Sequence, residues 1–352
     1  MNDIITLDYG SGGEKTADLI RSVLLPAFKN PALEALGDGA VLDGSEKLVF
    51  STDSFVVTPW RFPGGDIGAL SVCGTVNDLC MAGGIPRYLS LSFILEEGFL
   101  IRDLETIAAS IARKAAEAGV IIATGDTKVV ERSKGDGIYI NTAGIGFLRT
   151  PGLGREQIRE GDGVILSGSA GCHGAAVLMA RAGLSGAPGM DSGLSDAGSG
   201  DTSGSCQNTL LSDCALLDRL SAAVLSAGTI RLMRDPTRGG VATTLHEFIE
   251  DSPLTIELDE AAIPIDEPVA AACDLLGLDP LYCACEGRML AVAAPEDEDA
   301  VLAALRRTPG GEQAALIGRV TQSRPGSLIL NTRLGGKRLL TKLTGQQLPR
   351  IC

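Results

Sequence analysis

The chain has 352 residues, more than one average domain and enough for two, each able to bury its own core. A formal net charge of -14 argues against a nucleic-acid partner, which needs a basic face, and no apolar run approaches the roughly 18 residues of a membrane helix. Two histidines make a zinc site hard to assemble, nine cysteines without a C-x-x-C fit reduced thiols, and Met1-Asn2-Asp3 lacks a signal-peptide layout, so a soluble cytoplasmic protein is expected.

In chain order, Ile4 to Leu7 predicts a short strand, and Ala17, Ile20, Val23, Leu24 and Phe28 recur at helical spacing within Glu14 to Phe28. Strands are expected at Leu48 to Ser51, Tyr88 to Leu95 and Ile138 to Leu148, with helices over Asp66 to Cys80 and Leu104 to Ala118. Pro, Gly and charge over Thr150 to Gly163 mark a boundary, giving domains 1–155 and 156–330 and a tail, 331–352. Beyond it, strands are expected at Gly163 to Gly168, Leu254 to Leu258, Met289 to Ala294, Ala314 to Val320 and Ser327 to Leu330. Helices are expected at Ser212 to Ser226, Val241 to Ile249, Pro268 to Leu276 and Pro295 to Arg306, so the class is α/β. Ser185 to Ser205 is too poor in apolar side chains to offset its ordering entropy and reads as a mobile surface insertion. Pro349 holds Leu348 extended and argues against a helix in Gly345 to Cys352.

Gly10-Ser11-Gly12-Gly13 joins the first strand to the first helix, where backbone N–H groups can face an anion; a glycine turn that merely caps the helix is an equal reading. It is not a Walker A loop, because Glu14 stands where that motif needs glycine before Lys-Thr. Asp38, Asp53, Asp78 and Asp126 each read as standing at a strand end or turn among small residues. Singly, each is an N-cap or turn aspartate; together they suit Mg²⁺ bridging a polyphosphate, with Lys128 placed to neutralise charge on a transferred phosphoryl group.

In the second half, Arg234-Asp235-Pro236-Thr237-Arg238-Gly239-Gly240 offers an oxyanion two guanidinium forks and a glycine turn, or else a loop ion pair between Asp235 and an arginine. Glu286, before Gly287-Arg288, is either a buried general base or the partner of Arg288. His173, in a glycine turn, and His246, on an amphipathic helix, read as structural. The chain ends Pro349-Arg350-Ile351-Cys352. The terminal carboxylate beside the thiol disfavours thiolate, which suits a carrier better than a self-activated nucleophile; the other cysteines read mostly as small core residues, and a terminal cysteine by chance is the plain alternative.

These residues resemble the HypE family of [NiFe]-hydrogenase maturation proteins, the carbamoyl dehydratases, within the aminoimidazole ribonucleotide synthetase and selenophosphate synthetase superfamily. The match takes in Gly10 to Gly13, Ser51 to Val57, Phe62 to Gly68, Thr75 to Leu79, Gly125 to Val130, Asp235 to Gly240 and the Pro-Arg-Ile-Cys ending. Tyr9 and Cys285 stand where the family has histidine and asparagine. Selenophosphate synthetases carry a Cys or selenocysteine near the glycine loop, whereas the first cysteine here is Cys73. A second superfamily enzyme and an ATP-gated scaffold presenting Cys352 are the competing readings.

The resemblance implies a two-domain aminoimidazole ribonucleotide synthetase-like fold whose N-terminal domains pair across a homodimer into a β-barrel, with a flexible C-terminal tail. It implies ATP and Mg²⁺ at Gly10, Ser11, Gly12, Gly13, Asp38, Asp53, Asp66, Asn77, Asp78, Asp126, Thr127, Asp235 and Arg238, the metal taking Asp38, Asp53, Asp78 and Asp126. Catalysis would fall to Cys352, Lys128 and Glu286. Partners would be HypF, which carbamoylates Cys352, and a HypC–HypD complex that accepts cyanide; neither nucleic acid nor membrane is expected.

Overall fold

The computed structural model of the chain describes residues 4–10, 14–34, 40, 42–184, 210–343 and 351. It divides into two units: Met1–Arg61 with Asp66–Pro151, and Phe62–Gly65 with Gly152–Ile351. The expected insertion at 185–205, the tail stretch 344–350, Ser11, Gly12, Gly13, Asp38 and Cys352 fall outside the described residues.

The first unit opens with short helices: α1 (Glu14–Leu19), a π-helical turn (Ile20–Leu24), α2 (Leu25–Phe28) and α3 (Pro31–Glu34). Its sheet has β1 (Leu48–Phe55), β4 (Gly84–Glu96), β5 (Ile121–Val130) and β6 (Ile138–Leu148) in the order β1-β6-β4-β5, parallel only between β4 and β5. Two-residue strands β2 (Arg61–Phe62) and β3 (Gly65–Asp66) lead into α4 (Ile67–Met81), and α5 (Ile101–Ala118) follows β4. Helix α4 is buried nearly all round because it packs on β1, β6 and β4 with one side and on α5 with the other. Helix α5 keeps one apolar stripe, Leu104, Ile107, Ala108, Ile111 and Ala115, and stops at Gly119, whose φ of 66° lets its N–H reach the carbonyls of Ala115 and Ala116.

The second unit is built on a seven-stranded sheet, β13-β12-β9-β11-β7-β10-β8. Its strands are β7 (Gly163–Leu166), β8 (Ile230–Arg234), β9 (Thr255–Asp259), β10 (Leu290–Ala293), β11 (Ala315–Thr321), β12 (Ser327–Asn331) and β13 (Lys337–Leu340). All pair antiparallel except β9 with β12. Strands β7 and β10 are apolar without alternation and buried throughout, as strands covered on both faces must be. Around them stand α6 (Cys172–Arg181), α7 (Asp218–Ala227), α8 (Gly240–Ile249), α9 (Glu267–Leu276) and α10 (Glu298–Arg306). Helix α8 sets Val241, Leu245, Phe248 and Ile249 into the main core, while α6 and α9 form a smaller one with Cys172, Met179, Val269 and Cys273.

Several expectations need correction. Ile4 makes a single bridge to Leu100 and Leu7–Gly10 is a 3₁₀ turn, so the expected first strand is absent; the run is too short to sustain a ladder. Asp53 and Asp126 lie inside β1 and β5, and Asp78 lies inside α4, rather than at strand ends or turns; polar side chains on one exposed sheet face blurred the strand signal. His173 stands in the first turn of α6, not in a loop, and the helix expected from Ser212 begins at Asp218. The stretch 331–352 is not all tail, because β13 completes the sheet against β12.

Candidate functional site

In the first unit, β1 and α4 place two carboxylates along one seam. Ser51 donates its hydroxyl to Asp78 Oδ2 at 2.6 Å, and Asp53 Oδ2 lies 3.7 Å from where a Cβ on Gly74 would stand. Residues 51 and 53 are one pleat apart and 74 and 78 one helical turn apart, so the two half-buried carboxylates follow one another along the same seam. The N–H of Ser54 fixes Asp53 Oδ1 at 2.8 Å. Two carboxylates, completed by waters and phosphate oxygens, are the donor set Mg²⁺ takes, so the pair fits that ion. Asn77 is buried beside Asp78 on α4.

Asp126 stands apart from this pair. It is in register with Ser92, Ser92 with Asn141, and Asn141 with Ser54, and cross-strand partners share a face. Ser54 points away from its neighbour Asp53, so Asp126 and Lys128 lie exposed on the sheet face opposite α4. Three strand spacings add about 14 Å of lateral separation. Within one chain, a single ion therefore cannot take both Asp126 and the Asp53–Asp78 pair, and among the described residues no three of His, Cys, Asp and Glu gather as a metal site. Thr127 turns to the α4 side, half-buried. Asp66 caps α4, its Oδ1 accepting the N–H of Ala69 at 2.8 Å. Gly10 runs so close to β5 that a Cβ would lie 2.6 Å from the Val129 nitrogen.

In the second unit a cluster forms around Ser212 and Asp213. Glu286 is 2% exposed, and its N–H donates to Asp213 Oδ1 at 3.1 Å. Asp213 Oδ2 faces Arg288 Nε at 3.6 Å, so the ion pair seen for that arginine runs to Asp213. Ser212 Oγ meets His173 Nδ1 at 2.8 Å, and His173 Nε2 meets the carbonyl of Ile351 at 2.6 Å. The adjacent Ser212 and Asp213 thus hold, respectively, the imidazole that grips the end of the chain and the backbone of the candidate base.

The imidazole is fully buried, packed edge-on against Phe62 with ring centroids 5.2 Å apart, and burial pushes its pKa down, so it is neutral at physiological pH. Cys172 beside it has its thiol pushed up to about 12, first by burial and then by the Asp213 charge. Asp235 is buried and Arg238 exposed at the entry to α8, where Gly239 and Gly240 take φ of 78° and 61°. At Gly240 a Cβ would lie 2.5 Å from the Cys283 carbonyl, so both conformation and space require glycine.

Sequence reasoning did not single out Ser212 or Asp213 and read His173 as structural. The available signal was a Gly-Cys-His-Gly run opening an alanine-rich helix; nothing in its spacing pointed to a carbonyl 178 positions away.

The chain matches the models of the AIR synthase related protein, N-terminal domain, over residues 36–148, and C-terminal domain, over residues 159–331. It is 47% identical over 355 aligned residues to a protein of Rhizobium leguminosarum bv. viciae named carbamoyl dehydratase HypE, covering 100% of this chain and 96% of that one. Its fold is similar to a crystal structure of hydrogenase maturation protein HypE in complex with ATP, with a TM-score of 0.89, 46% identity and coverage of 98% and 99%. It is also similar to HypE in a HypE–HypF complex, with a TM-score of 0.74, 39% identity and coverage of 92% and 99%.

Proposed function

Because the chain belongs to the HypE family of carbamoyl dehydratases, we propose that it converts a carbamoyl group carried on Cys352 into a thiocyanate at the expense of ATP, supplying cyanide for [NiFe]-hydrogenase iron. One observation carries this reading for the chain's own residues: Ile351, next to Cys352, is held at His173, and Ser212–Asp213 ties that seat to the turn bearing Glu286.

The carbamoyl oxygen is a poor leaving group and must be activated. In the proposed reaction it attacks the γ-phosphorus of ATP, forming a C–O–P link and releasing ADP. Glu286 takes the nitrogen proton as the C–O bond breaks, leaving S–C≡N, inorganic phosphate and a proton. Glu286 is 2% exposed, so its carboxylate would act on that proton away from bulk water. Asp53 and Asp78 would hold Mg²⁺, which supplies charge neutralisation at the phosphates when bound. Tethering makes the encounter intramolecular and keeps the cyanide equivalent covalently attached.

HypF as carbamoyl donor and HypC–HypD as cyanide acceptor follow from the same reading, as does the cytoplasm, where the seven free cysteines among the described residues would stay reduced. Among the described residues, no helix is long and apolar enough to cross a membrane. A homodimer is supported by the bare outer face of the first unit's sheet, where Leu48, Phe50 and Ile94 are 52%, 68% and 43% exposed. Gly10 to Gly13, Asp38, Asp66, Asn77, Asp126, Thr127, Lys128, Asp235 and Arg238 are proposed as nucleotide contacts on the ground of the family resemblance.

Intact-mass spectrometry tests the proposal. With ATP and a carbamoyl-donor system, Cys352 should gain a carbamoyl mass and then lose one water. A Cys352→Ala variant that still shows both changes refutes the carrier assignment.

A further inference from the structure

The last residues of a chain are ordered only where something ties them down. Ile351 is 5% exposed although it is penultimate, and its carbonyl is held at 2.6 Å by a ring that is itself wholly buried. The direction of each hydrogen bond follows from counting protons. Ser212 Oγ accepts the N–H of Cys214 at 3.1 Å, so its own proton is free to go to His173 Nδ1. Nδ1 then accepts, Nε2 carries the ring proton, and the carbonyl of Ile351 can only accept. Ser212 cannot drift, because its N–H is bound to the Pro63 carbonyl at 2.9 Å. On the near side of 344–350 the chain is also fixed: Thr341 bonds Tyr282 Oη, and Lys342 reaches Glu250 Oε2 at 3.2 Å.

We infer that His173 is a positioning residue for the dehydration: its Nε2–H seats the carbonyl of Ile351 and so fixes where the following residue, Cys352, presents its carbamoyl group. The inference rests on the reading of Cys352 as carrier. It gives the buried histidine a duty beyond packing.

Three measurements on the full-length protein test it: the rate at which iodoacetamide labels Cys352, the single-turnover dehydration rate of carbamoylated protein, and the ¹⁵N signals of the His173 ring. Losing one buried hydrogen bond corresponds to about a tenfold change. His173→Ala should therefore label about tenfold faster and dehydrate about tenfold slower, with KM for ATP unchanged. His173→Gln, which restores an N–H donor and an acceptor for Ser212, should recover most of both.

The ring signals should report a protonated Nε2 and should shift when residues 351 and 352 are deleted. Unchanged labelling in a folded His173→Ala protein overturns the seat whatever happens to turnover. Should that variant fail to fold, ring signals indifferent to the deletion overturn it instead. Faster labelling in a protein whose wild type never dehydrates keeps the seat and removes the carrier reading.

Discussion

Asp213 serves two neighbours at once: one oxygen accepts the N–H of Glu286 and the other faces Arg288. Its side chain is 1% exposed and that of Arg288 19%, so the charges are mutually dependent in a poorly solvated setting. Replacing Asp213 by Asn keeps an oxygen for the Glu286 N–H but leaves the guanidinium without its counter-charge, a change worth about 3 kcal/mol. The N–H of Met289, bound to Ser167 Oγ in the same segment, should then lose about a hundredfold of its hydrogen-exchange protection, close to 3 kcal/mol. Unchanged protection would mean that Arg288 is neutralised elsewhere. The thiols nearby answer a second measurement. With Cys172 raised to about 12, almost none of it is thiolate at pH 8, so iodoacetamide should label half-buried Cys214 while leaving Cys172 intact. Equal labelling of the two at pH 8 would contradict that burial.

Among the elements, the edge strand β13 is held through Glu257 on β9. Lys337 reaches Glu257 Oε2 at 3.2 Å and Ser323 Oγ donates to Oε1 at 2.6 Å, and the Ser323 bond, followed by Lys337, lowers the carboxyl pKa. The unfolded chain has this pKa near about 4.3. Stability from the depressed value is thus fully present above that pH and is lost as pH falls through the folded pKa. Glu257→Gln should cost below about 1 kcal/mol at pH 7 and progressively less as pH falls through the folded pKa, read from hydrogen exchange across β12 and β13. A pH-independent cost would place the effect in packing rather than charge.

The same strand marks the limit of reading elements from sequence. Strands β9, β10, β11 and β12 were legible because apolar runs with sharp ends specify buried strands, and α5 was legible from its stripe. Strands β5 and β13 were not. Thr124 to Lys128 is polar because one face of β5 is bare, and Lys337-Arg338 is charged because β13 is an edge. Among site residues, Asp53, Asp78 and Glu286 were named from their neighbours in sequence, whereas the grip of His173 on Ile351 depends on a fold that no local pattern encodes.

At the scale of the whole molecule, the first unit's sheet poses the question of what covers its outer face. Register places Leu48, Phe147 and Ile85 in one row and Phe50, Ile145, Tyr88 and Ile121 in another; Ser54, Asn141, Ser92 and Asp126 lie further along. The apolar rows are exposed in the single chain, and a second copy laid on this face would bury them while closing over Asp126 and Lys128. Phe50, 68% exposed, is the test position. Phe50→Glu puts a charge into the proposed contact and should raise the dimer dissociation constant by about a hundredfold, read by sedimentation equilibrium. Leu334→Glu, at a site 98% exposed on the second unit, should leave association unchanged. If the Phe50 variant also lost ATP-dependent dehydration while retaining its fold, Asp126 and Lys128 would be tied to the assembled pair. A Phe50 variant that sediments as wild type would exclude this face as the dimer contact, and with it the barrel.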